Sequence, residues 1–102
     1  MEMQMITSIR EVTFMPGKMA AARAFAVEIT AYVKDTLSMD FEVARPIGGS
    51  PQRVAWIGRY KDLAAYEAAM NKLAADKRFA DLSSKTADLW VPGSMRDELW
   101  QT

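Results

Sequence analysis

Arg10, Trp56 and Tyr60 are the residues of this chain whose types and spacing could hold and polarise a small molecule. Arg10 lies in a run of β-branched and apolar residues. Its guanidinium is a planar, permanently charged fork that suits a carboxylate or an enolate in two parallel hydrogen bonds. Trp56 and Tyr60 share one parity of residues 53–60, so on a strand they share a face, with Gly58 between them. They would form an apolar wall, and the Tyr60 hydroxyl could orient substrate or relay a proton, for which its pKa would have to be lowered. Gly58 removes a side chain beside the two aromatics, leaving room for a ligand or a helix backbone. Tyr66 and Met70, four apart, extend the same candidate pocket from a helix. Each position also has a plainer structural role. Arg10 can pair internally with Glu28, Glu42 or Glu67, or reach solvent at the edge of a cleft. Trp56, Tyr66 and Met70, with Phe25 and Tyr32, can simply fill the core.

What is missing narrows the chemistry. The chain has no cysteine and no histidine. Disulfides, thiol nucleophiles, Fe–S clusters, imidazole-ligated haem and most zinc sites are thereby excluded. Proton transfer would fall to Asp, Glu, Tyr, Lys or water. No carboxylates fall at metal-ligand spacing. Gly48-Gly49-Ser50 joins two strands and opens no helix, so it is no phosphate loop. No metal and no cofactor are expected. Thirteen basic and thirteen acidic residues cancel, which argues against nucleic acid and acidic membrane as partners. The first ten residues carry Glu2 and lack a basic stretch followed by an apolar run, and no segment reaches membrane-spanning length. The expected location is the cytoplasm.

The elements that must position these residues follow from periodicity. Residues 5–14 read as strand 1, with Pro16-Gly17 as its turn. Helix 1 runs from about Lys18 to Asp35 on a stripe of Ala22, Phe25, Ala26, Ile29, Tyr32 and Val33. Residues 39–47 alternate as strand 2, and the short Gly48–Pro51 gap to strand 3 at 53–60 implies an antiparallel hairpin. Asp62 caps helix 2, and Asp76 looks like a second cap, so the helix should bend near Ala75. Val91-Pro92-Gly93-Ser94 stops it, and 95–100 form strand 4. The order β-α-β-β-α-β is ferredoxin-like: one α+β domain over 1–102, a four-stranded antiparallel sheet with helices on one face.

With Arg10 ahead of Pro16-Gly17-Lys18, Gly48-Gly49 before strand 3, Trp56 with Arg59-Tyr60-Lys61-Asp62-Leu63, and Ala75-Asp76-Lys77-Arg78-Phe79 followed by Leu82, nearly the whole chain resembles the dimeric α/β-barrel families. It is most similar to NIPSNAP-like proteins and antibiotic-biosynthesis monooxygenase domains. The resemblance implies a homodimer in which two sheets pack face to face across a two-fold axis, with helices outside. Arg10, Val12, Trp56, Gly58 and Tyr60 would then face the helices and Ile9, Ala55 and Ile57 the partner, with Leu99-Trp100 as a dimer anchor. Haem-degrading relatives use an asparagine on strand 1, a tryptophan ending strand 3 and a histidine on helix 2. Arg10, Tyr60 and Met70 stand at those positions here, which argues against that reaction.

Two functions are consistent with this reading. One is a small-molecule-binding protein, extending to a cofactor-independent monooxygenase on an aromatic or polyketide-like organic acid. In it Arg10 holds the anion, Tyr60 orients or relays a proton, and Trp56, Gly58, Tyr66 and Met70 shape the pocket. The other is a NIPSNAP-like interaction or stress module without an active site. An open apolar cleft converging on Arg10 and Tyr60 favours the first. A filled interior with Arg10 neutralised by a carboxylate favours the second.

Overall fold

The computed structural model describes residues 5–102; the expectation that no leader is present, read partly from residues 1–4, lies outside them in that part. The elements are β1 (Ile6–Thr13), α1 (Met19–Leu37), β2 (Glu42–Ala44), β3 (Arg53–Tyr60), α2 (Leu63–Ala75), α3 (Lys77–Ser84), a 3₁₀ turn (Ala87–Leu89) and β4 (Arg96–Gln101). The sheet is antiparallel with order β2-β3-β1-β4, the expected α+β arrangement.

β1 is the axis of the sheet, pairing along its length with β3 (Ile6 opposite Tyr60, Thr13 opposite Arg53) and with β4 on its other side. That register lays Asp97, Arg10, Trp56 and Val43 in one row across four strands. In the next row Leu99, Ser8 and Gly58 are aligned. Side chains alternate across a strand, so the parity that carries Ile6, Val12, Phe14 and Val54 is buried beneath the helices.

α1 buries Ala22, Ala26, Ile29, Val33 and Leu37, the stripe expected from spacing, although Phe25 and Tyr32 are only half-buried. It continues two residues past Asp35. Ser38 then enters the left-handed region (φ 56°) and ends it. Asp62 caps α2 by accepting a hydrogen bond from the Ala65 N–H at 2.8 Å. Asp76 does the same for α3 through Phe79 N–H at 2.8 Å, and also accepts from the Tyr32 hydroxyl at 2.7 Å. The bend after Ala75 is therefore a capped junction tied to α1.

β2 is much shorter than the 39–47 run suggests. Met39 is buried in the core, Pro46 cannot donate to a ladder, and Arg53 holds the following loop from outside through the carbonyls of Gly48 (2.7 Å) and Ser50 (2.8 Å). The core has two halves: Val33, Leu37, Met39 and Leu73 in one, and Val12, Ala26 and Val54 in the other. The space between sheet and helices is lined by Val33 and Leu73 of the first half and by Trp56, which packs against the second.

Candidate functional site

That space is a cavity of about 310 Å³. Its floor is the helix-facing side of the sheet, with Ser8, Arg10, Trp56 and Asp97. Phe25, Ile29, Thr30 and Val33 of α1 form one wall. Tyr66, Met70 and Leu73 of α2 and Phe79 and Ser83 of α3 form the other, and Phe41, Met95, Ile9 and Glu98 complete it. The lining is mostly aromatic and aliphatic, with its polar groups concentrated at Arg10 and Asp97, an arrangement suited to an apolar ligand with a polar handle.

Trp56 is fixed at both ends. Its indole N–H donates to Thr30 Oγ1 at 3.0 Å, while the Thr30 hydroxyl donates to the Ala26 carbonyl one turn earlier at 2.6 Å. Its ring meets Trp90 edge-on at 6.2 Å, and Trp90 meets Phe25 at 6.0 Å. Trp56 is thus core on one side and cavity wall on the other. This rigidity lets the wall present a set shape.

Arg10 is paired, but not with Glu28, Glu42 or Glu67. Its Nε and Nη2 donate to Asp97 Oδ1 and Oδ2 at 2.8 and 2.9 Å, a side-on fork across β1 and β4. Asp97, on the edge strand β4, stands on the cavity wall. The hydrogen bonds hold its carboxyl below the usual carboxylate range, and the same bonds raise the guanidinium above its already high value. The outer edge of the guanidinium, with Nη1, has no hydrogen-bond partner among the described residues.

Arg10, Trp56, Tyr66 and Met70 are brought together around the cavity; Gly58 and Tyr60 are outside its wall. The space beside Gly58 holds protein, neither a ligand gap nor a helix backbone. A Cβ there would meet Phe41 Cε1 at 2.8 Å and the Tyr60 hydroxyl at 2.9 Å. Tyr60 packs edge-on against Tyr66 at 5.3 Å. Its hydroxyl is buried without a hydrogen bond of good geometry. Burial raises its pKa above that of a free phenol, with Ser8 and Arg10 offsetting only part. This is opposite to the shift that proton relay near neutrality requires.

Asp97, Phe41, Thr30 and Phe79 are among the lining residues that spacing did not single out for the site. Asp97 was within reach of it: an acid on the strand beside β1, on the parity of Arg10, is a signal once the sheet order is drawn. Phe41 was hidden because it precedes β2 and turns inward over a glycine on the neighbouring strand.

The sequence matches the NIPSNAP family model over residues 7–101. The chain belongs to the NIPSNAP family. No curated protein matches it. Among solved structures, this NIPSNAP protein is similar to an uncharacterised NIPSNAP-like domain protein from Burkholderia xenovorans, with TM-score 0.80 at 15% identity over 96% of this chain and 84% of that one. A NIPSNAP family protein of unknown function from Agrobacterium tumefaciens gives 0.79 at 18% over 100% and 91%. A candidate antibiotic biosynthesis monooxygenase from Nitrosomonas europaea gives 0.71 at 12% over 100% and 93%. At these identities the likeness is one of fold. The ferredoxin-like NIPSNAP architecture is shared with the monooxygenase-like neighbour, and chemistry does not follow from it.

Proposed function

We propose that this NIPSNAP protein binds a small aromatic or otherwise apolar organic molecule in the cavity between its sheet and helices. The observation that carries this reading is the cavity itself: about 310 Å³ of space walled by Phe25, Phe41, Trp56, Tyr66 and Phe79. The volume lies at the lower end of about 300–1,000 Å³ for ligand pockets, which are apolar clefts with a few polar groups, as this one is. A native mass spectrum of protein purified from cells, recorded intact and after denaturation, tests it. A mass excess that disappears on denaturation is expected. A spectrum without excess, together with no binding to any of a panel of one- and two-ring aromatics, removes the reading.

An oxygenase reaction on the bound molecule, as the Nitrosomonas neighbour's name suggests, is the finer version. It has weaker support, because Arg10, Asp97 and the adjacent Tyr60 are shifted away from neutral pH: Asp97 down, Arg10 up and Tyr60 up. Binding needs no such group. The Arg10–Asp97 pair is also the observation that favours a non-catalytic interaction module, and an empty, non-binding cavity would move the balance there.

Homodimerisation through the open sheet face, in the cytoplasm, belongs to the same proposal. That face carries Ile9, Ala55 and Ile57, and four of its charges are already paired within the chain, Arg53 with Glu11 at 3.2 Å and Arg59 with Glu42. Matched charges lower the cost of burying such a face. Trp100 stands at its edge, 57% exposed. No helix among the described residues is long and apolar enough to cross a membrane. Sedimentation equilibrium reads the assembly directly, with a dimer expected and a concentration-independent monomer against it.

A further inference from the structure

We infer that the cavity selects an uncharged ligand, one whose hydrogen-bond acceptor reaches the outer edge of Arg10, and rejects the corresponding carboxylate. The inference rests on the binding reading above and replaces the organic acid expected from the sequence.

Charge decides it. Among the described residues Arg10 is the one cation on the wall, and Asp97 faces it from the adjacent strand. Asp97 already takes the Nε and Nη2 edge in two hydrogen bonds. Only the outer edge remains, so an incoming acceptor would approach Nη1 with Asp97 on the far side of the same guanidinium. A ligand carboxylate at about 4 Å from the guanidinium centre would lie about 7 Å from the Asp97 charge, and the repulsion would cancel roughly half of the attraction. The rest of the wall is mostly aromatic and aliphatic, with only the uncharged hydroxyls of Ser8, Thr30, Tyr66 and Ser83, and returns little for the lost hydration of an anion, a cost that an already neutralised arginine does not recover. A ketone, ester, amide or phenol oxygen carries no net charge to desolvate and still receives a charge-assisted hydrogen bond from Nη1. The aromatic body of such a ligand meets Phe25, Trp56 and Tyr66. The pair therefore works as a neutral polar handle, the opposite of an anion trap.

A matched pair of probes tests this on the full chain by titration calorimetry at pH 7.5: methyl 2-naphthyl ketone and 2-naphthoate, which differ in charge and little in shape. The ketone is expected to bind at least tenfold more tightly. In Asp97→Asn, which frees the guanidinium charge, the preference should shrink or reverse, with circular dichroism confirming the fold. Met70→Trp, which fills the cavity from α2, should abolish binding of the ketone. Equal or tighter binding of naphthoate to the unmodified protein overturns the inference and leaves the cavity reading in place. Ketone binding that survives Met70→Trp also overturns it, because the ligand is then elsewhere. Failure of both probes to bind overturns the inference, and the cavity reading falls with it only where the native mass spectrum shows no excess and the aromatic panel does not bind. The comparison on the unmodified protein stands even where a variant fails to fold.

Discussion

Arg10 and Asp97 are direct cross-strand partners, and their side chains meet in two parallel hydrogen bonds on the wall of an apolar cavity. The geometry is that of a strong pair, yet the side chains keep 37% and 44% of their exposure. Solvent screening therefore holds its contribution to the usual range for exposed pairs, about 0.2–1 kcal/mol. A double-mutant cycle of Arg10→Gln and Asp97→Asn in urea should return a coupling of that size. A coupling indistinguishable from zero would mean the pair orders the cavity without stabilising the fold.

The same pair sets a pH dependence. Asp97 has its carboxyl pKa lowered in the folded state, so the unfolded chain takes up that proton more readily. Its stabilisation is present above about pH 5 and is lost as pH falls through about 4 toward the folded value. Arg10, raised from an already high value, is charged throughout and adds no slope in this range. Chemical denaturation between pH 3 and pH 7 should show an acid limb that is shallower in Asp97→Asn. Identical limbs would assign the acid sensitivity to other carboxylates.

How much of this was readable beforehand depended on whether the signal was local. The capped junction at Asp76 was readable, because a cap is a statement about residues three apart. The sheet face of Arg10 and Trp56 was readable because parity is local too. The partner of Arg10 was not, because it lies 87 residues away and appears only once β4 is set in register against β1. Gly58 misled for a related reason. A missing side chain says that something comes close, but the neighbouring strand decides what, and here it is the Phe41 ring and the Tyr60 hydroxyl.

Thr30 carries the only hydrogen bond of the Trp56 indole among the described residues. Thr30→Val keeps the shape and removes the acceptor, leaving a half-buried N–H unpaired, which costs about 1–2 kcal/mol. Urea denaturation should show that loss. Because the freed ring can tilt, affinity for an aromatic probe should fall as well. Unchanged stability would mean that water replaces the hydroxyl.

Asp76 joins three elements: it follows α2, caps α3 through Phe79 N–H and receives the Tyr32 hydroxyl of α1. Asp76→Ala should cost about 1 kcal/mol from the cap alone, whereas Asp76→Asn should keep most of the stability because it retains an acceptor. Phe79 starts from this cap and lines the cavity, so Asp76→Ala should also weaken ligand binding. Equal stability of the two variants would show that the negative charge, not the acceptor, is what the junction uses.

Gly58→Ala separates the glycine's role in packing from any role in binding. The added methyl would come within 2.8 Å of Phe41 Cε1, closer than carbon atoms approach, and within 2.9 Å of the Tyr60 hydroxyl. Both contacts are side-chain edges that can yield, so the overpacking cost should fall at the low end, about 1–2 kcal/mol. Gly58 itself does not line the cavity, but Phe41 does, and a displaced ring changes the cavity's shape. The variant should therefore fold with a lowered Tm and show a loss of probe affinity larger than its loss of stability explains at saturating folded protein. A variant that binds normally while losing stability would place Phe41 as a core residue whose exact position the ligand does not sense. The aromatic wall would then be reduced to Phe25, Trp56, Tyr66 and Phe79, on α1, β3, α2 and α3.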